Sequence, residues 1–249
     1  MFKFSNSQMI SISISFLIVA CITIILFFLL RNKNIKIRKI PQKIATIFLI
    51  VSEIIKYFLM ILQGNYYSLY PTYYCSYIWF WFLCADFFKG KFADSCEAIS
   101  LCGSFCVFAL FLTNPSSLLG ISTDYLFSSY LNFHHLLFHC LVVLHLSLTL
   151  FLKTFKFEKI YFIYVLIWVG IMCAIIIPRA YIFNQNYMDV LFSNVRILEV
   201  IRLKFGQIVY DIALVGSLLL ILEALSFVFY LLYTLSLNKQ KVKFSDRHV

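Results

Sequence analysis

Runs of about twenty apolar residues, separated by short polar or basic stretches, recur along the whole chain. A helix that crosses a bilayer needs about 20 apolar residues, and the runs predict spans near 9–30, 44–63, 69–88, 94–113, 133–152, 160–178 and 212–236. The predicted fold is all-α, a polytopic transmembrane bundle of about seven helices. The prolines agree with these limits. Pro41 precedes the second span, Pro71 opens the third, Pro115 follows the fourth and Pro178 closes the sixth. Proline suits a first helical turn or a stop, because it lacks an N–H and clashes in a helix interior. One segment breaks the pattern. Over 189–207, Val190, Leu191, Val195, Leu198, Ile201 and Phe205 alternate at helical spacing with Asn194, Arg196, Glu199, Arg202 and Lys204. That periodicity predicts an amphipathic helix lying in the membrane interface.

Composition narrows the class. Of the 249 residues, 62% are apolar and 13% charged, against roughly 45–50% and about 25% in an ordinary soluble domain. One small core cannot hide that much Phe, Ile and Leu, so lipid is the solvent this chain expects. The net charge of +10 does not point to nucleic acid, because the cations cluster between apolar runs instead of forming a basic groove. Fifteen lie in 31–43, 89–91, 153–159 and 239–247, and five in the alternate segments, at Lys3, Arg179, Arg196, Arg202 and Lys204. The positive-inside rule then predicts an outer N-terminus and an inner C-terminus. With no flexible linker, 1–249 reads as a single multi-pass domain of the cell membrane whose partners are membrane lipids. No ligand spacing calls for a metal or a cofactor.

Ionisable groups inside a bilayer are costly and raise a functional question by default. Glu53 and Lys56 stand three apart in the second span and can pair on one helix face. Glu223 stands mid-span in the seventh without a local partner, whereas Asp86 and Asp211 lie near span ends and read as solvated. The eight cysteines fit neither a disulfide framework nor a zinc spacing. Ser95, Cys96, Ala98, Ser100, Cys102, Gly103, Ser104 and Cys106 make the fourth span rich in small residues, which let helices approach closely in lipid.

The sharper signal is Cys75 with His139. A thiol becomes a nucleophile when a neighbour helps it to the thiolate, and histidine is the usual agent. Counted back from the inner boundaries, both residues fall about 20 Å above them at 1.5 Å per residue, in spans that run the same way. The loop Asn184, Gln185, Asn186 and Tyr187 lies on the same outer side. His135, one turn before His139, is a rival partner for the thiol; His134 and His145 point elsewhere. Two buried, hydrogen-bonded helix residues without chemistry remain the alternative.

At these residues the chain resembles the YwaF-type integral membrane proteins, whose eukaryotic relatives include the transmembrane protein 164 family. Pro71-Thr72-Tyr73-Tyr74-Cys75 is similar to that family's Leu-Pro-x-His-x-Cys opening of a span, with Tyr73 where the family has histidine. Leu101-Cys102-Gly103 through Leu112-Thr113-Asn114-Pro115 resembles its small-residue span. Phe138-His139-Cys140-Leu141-Val142-Val143-Leu144 and Asn186-Tyr187-Met188 resemble two further motifs, so that the likeness covers roughly 66–236. It implies a compact helical membrane fold and, from the eukaryotic branch, a cysteine-dependent acyltransferase acting on phospholipids. Cys75 would be the nucleophile and His139 the base, with Asn186, Tyr187, Tyr73 and His135 lining the substrate site. A small transporter or ion-binding protein using Glu53, Lys56 and Glu223 is the rival class.

Overall fold

The computed structural model of the protein describes residues 6–64, 74–113, 129–193 and 195–245, and among them every regular element is helical. The helices are α1 (Asn6–Leu30), α2 (Ile35–Arg38), α3 (Ile40–Leu62), α4 (Cys75–Phe87), α5 (Lys91–Thr113), α6 (Tyr130–Phe151), α7 (Ile160–Phe183), α8 (Arg196–Phe205) and α9 (Gln207–Ser245). A short 3-10 turn, Tyr187–Asp189, follows α7. Six of them carry stretches long and apolar enough to span a bilayer. The chain is therefore a multi-pass helical protein of the membrane type. The predicted third span appears as α4, 13 residues or about 20 Å at the α-helical rise; its predicted first part, 69–73 with Pro71 and Tyr73, lies outside the described residues.

The chain divides into two compact units. The first comprises residues up to Pro71 together with Tyr77–Phe155, and the second Thr72–Ser76 with Lys156 onward.

In the first unit, long-range bonds show how the helices alternate. At one end, Arg38 Nη1 donates to the Leu152 carbonyl at 2.6 Å, Thr46 donates to Asp86, and His145 meets Asp86. The start of α3 and the ends of α4 and α6 therefore share one end, where Phe27 of α1 also meets Phe151, ring centroids 6.4 Å apart. At the opposite end the Tyr130 hydroxyl donates to the Ser52 carbonyl at 3.0 Å. So α3 runs against α1, α4 and α6. The shared end carries Arg31, Lys33, Lys36, Lys39, Lys43, Lys89, Lys91 and Lys153, the alternation that the basic clusters predict. We expect single cysteines placed in 31–39 to label only from the cytoplasmic side of intact cells. Labelling from outside would invert the orientation.

The small face of α5 is buried at Cys96, Ala98, Ser100, Cys102, Gly103 and Ser104, as predicted for a face that admits close helix contact. Helix α6 begins at Ser129, whose hydroxyl accepts the Asn132 N–H, an N-cap that satisfies a donor otherwise orphaned. It ends with Lys153 in the left-handed region, φ 51°, and Thr154 N donating to the Thr149 carbonyl at 3.1 Å. That six-to-one bond closes the helix as a Schellman motif, and it turns Thr154 back against the end of α6.

In the second unit, α7 runs through Pro178 to Phe183 instead of stopping there. The proline removes one donor from the helix, yet Ala180 stays buried and the turn continues to Asn184, a left-handed cap at φ 49°. In hydrocarbon every backbone group seeks an internal partner, which favours carrying the helix on to the end of its apolar run. The amphipathic helix is also shorter than the predicted 189–207. Met188 and Asp189 take positive φ, and the Asn186 side chain accepts the Leu191 and Phe192 N–H groups and donates to the Phe192 carbonyl. These bonds hold a loop where periodicity predicted helix, so α8 starts at Arg196 and ends at Gly206, φ 84°. Along α8, Glu199 takes bidentate bonds from Arg202 and one from the Ser193 N–H. The Arg202 guanidinium, more than that backbone bond, pulls the Glu199 carboxyl down to about 2.

Candidate functional site

Helix α6 organises the polar chemistry of the first unit. His134 and His145 are eleven residues apart, which returns to the same helix face, and each meets a carboxylate from another helix. His134 Nε2 lies 3.3 Å from Glu53 Oε1, and Glu53 also pairs with Lys56, as its spacing predicted. The carboxylate is 4% exposed and Lys56 14%, so the pair is a membrane-interior one that a histidine completes. Sequence reasoning missed His134 here because partners 81 positions apart leave no local pattern. We expect Lys56→Met alone to reduce accumulation more than Glu53→Leu/Lys56→Met together, since a lone buried carboxylate is worse than none. Comparing membrane-inserted amounts checks it, and the reverse order would give the pair a role beyond neutralisation.

Toward the other end of α6, Asp86 is buried, not solvated. Its Oδ2 accepts the Thr46 hydroxyl at 2.6 Å and faces His145 Nε2 at 3.0 Å, with side-chain exposures of 7% and 8% for Asp86 and His145. Position near a helix end misled the prediction, because α3, α5 and α6 close over that end. The His145 ring stacks on Phe82, centroids 3.7 Å apart. Thr149, one turn on, accepts from Gln42 Nε2 at 2.8 Å, and Gln42 also donates to Thr154. The outcome is one buried chain from Thr46 through Asp86, His145, Thr149 and Gln42 to Thr154. Lys39, Glu97 and Ser100 line the same small cavity.

His139 sits on a different face. Its ring is 4% exposed, and Nδ1 lies 2.6 Å from the His135 carbonyl. A carbonyl only accepts, so Nδ1 carries the proton, and a neutral ring then presents its lone pair at Nε2. Nε2 is buried and has no hydrogen-bond partner among the described residues. Phe111 and Phe138 flank the ring edge-on. The His135 side chain is exposed, so it is the backbone of His135, not its imidazole, that orients His139. His134 and His145 do point away from this face.

Cys75 opens α4 and is half-buried, grouped with the second unit. In that unit Asn186 is spent on its own loop, while Tyr187 lies 5.7 Å under the Arg179 guanidinium. Asp211, read as solvated, is half-buried and takes bonds from the Tyr181 hydroxyl and from Gln207 Nε2. Glu223 keeps a buried Oε1 without a partner among the described residues.

Comparison with family models, with characterised proteins and with solved structures gives no match. The functional reading therefore rests on the residues themselves.

Proposed function

We propose that the chain is a YwaF-type multi-pass protein of the cell membrane that transfers or hydrolyses fatty acyl groups of phospholipids, with Cys75 as nucleophile and His139 as base. One observation carries this reading. The His139 ring is held in a single tautomer by its own helix, with a buried lone pair at Nε2 awaiting a donor. A fixed tautomer with a waiting lone pair is what a general base requires. Burying it has a cost that a bond to a thiol would offset.

In the proposed cycle Nε2 takes the proton from Cys75 Sγ, and the thiolate attacks the ester carbonyl of the lipid. The tetrahedral intermediate collapses with loss of the lysolipid oxygen, which leaves with the proton from His139. A lysolipid hydroxyl or water, deprotonated by the same nitrogen, attacks the thioester and releases the thiol. The test uses the full chain in liposomes of phosphatidylcholine with a labelled acyl group. A hydroxylamine-sensitive adduct on Cys75 is expected, and its absence from trapped protein would overturn the reading.

The transporter reading keeps one supporting observation, the unpaired Oε1 of Glu223. Glu53 and Lys56 no longer favour it, since with His134 they neutralise one another.

A further inference from the structure

We propose that the cavity among α3, α4, α5 and α6 is a binding site for one proton and one water molecule, with the proton on His145. This site is separate from His139 and independent of the acyl-transfer reading.

Donor and acceptor counting leads there. Asp86 Oδ2 accepts from Thr46 and faces His145 Nε2, so Nε2 is the nitrogen that donates to the carboxylate. The other nitrogen, Nδ1, faces Thr149 Oγ1 at 3.4 Å. The single hydroxyl hydrogen of Thr149 is committed to the His145 carbonyl at 2.8 Å. The same oxygen already accepts from Gln42 at 2.8 Å. With a neutral ring, two lone pairs would confront each other at Nδ1 and Oγ1. A proton on Nδ1 resolves the conflict, donating to the remaining lone pair of Thr149 and leaving an imidazolium beside the Asp86 carboxylate.

The cavity beside this pair leaves ≈ 10 Å³ for the centre of a water molecule, about the minimum that holds one. Its lining supplies the two to four polar partners a buried water needs. Among the described residues, four charged or titratable groups line the cavity. Lys39 stands where α2 meets α3, Asp86 is on α4, Glu97 on α5, and His145 on α6 itself. One amine and two carboxylates around one imidazolium balance, which suits a loaded site. Lys39 is half-buried at the basic end of the first unit, so the proton would reach the cavity water from that end. Asp86 positions and stabilises the charged ring, while Thr149 and Gln42 select the proton at Nδ1.

The experiment is solid-state NMR of the full-length protein, with ¹⁵N-labelled histidine, in lipid nanodiscs from pH 5 to pH 9. His145 is expected to show both nitrogens protonated at pH 7, close to a hydroxyl proton and to one immobile water. Asp86→Asn should remove the imidazolium signal at pH 7 while leaving the His139 signals in place, which reports that the fold survives. A neutral His145 at pH 7 in the unmodified protein would overturn the proposal, with Thr149 then turning its hydrogen to Nδ1. So would an unchanged imidazolium in Asp86→Asn. The first result needs no variant to fold.

Discussion

Replacing Asp86 with leucine is expected to destabilise the protein more than any other single change in the first unit. Two interhelical bonds vanish, from Thr46 and from His145. In a membrane each such bond contributes about 0.6–1.7 kcal/mol, so the bonds alone account for roughly 1–3 kcal/mol. The stranded ring adds to that. Leaving one member of a buried pair uncompensated raises the cost toward about 3–5 kcal/mol. Asp86→Leu/His145→Leu should therefore recover much of the loss, because neither member of the pair is then left uncompensated. Thr46→Val, which removes one bond and leaves the pair intact, should cost only about 1 kcal/mol. Unfolding of the purified protein in mixed micelles measures all three. A double variant no more stable than the single one would mean that packing against Phe82, not the ion pair, fixes this end of the bundle.

His139→Gln is expected to lower acyl transfer by about 10²–10⁴-fold, the range that a positioned general base supplies. Glutamine approximates the ring in size and keeps polarity, so the helix should persist while the lone pair that accepts a proton is lost. Cys75→Ala should abolish the thioester altogether. Cys21→Ala, exposed on α1, should leave the rate within a few-fold. Initial rates with labelled phospholipid in proteoliposomes separate these outcomes, together with alkylation of Cys75 by a lipid-like electrophile. If His139→Gln changes neither the rate nor the alkylation of Cys75, Nε2 is not the base and His139 is a packed helix residue.

Much of the fold was legible because its signals are local. Apolar runs of about twenty residues need no partner to declare themselves, and Pro41 at the first turn of α3 marks its start unaided. The Glu53–Lys56 pair was legible for the same reason, being one helical turn apart. Pro178 was misread because a helix stop was inferred from one residue, whereas the backbone continues while its apolar face stays packed. The interfacial helix was overextended because hydrophobic periodicity does not register Asn186 capping a loop with its side chain.

What the sequence determined by itself is the solvent, the helical class and the alternation of the basic ends. Those follow from composition, from run length and from where the charges fall, all readable along one dimension. Tertiary structure alone decided which partner each histidine meets. His134, His139 and His145 stand within a dozen residues on one helix; local spacing separates their faces but does not name their partners. The separation comes from helical rotation set against neighbours far away in the chain. Glu53 meets His134 and Asp86 meets His145, while His139, turned toward Phe111, bonds the carbonyl of its own helix. Asp86 changed from a presumed surface group to the centre of a buried network for the same reason. Burial is a property of what packs over a residue, and a helix end is exposed only if nothing else closes over it.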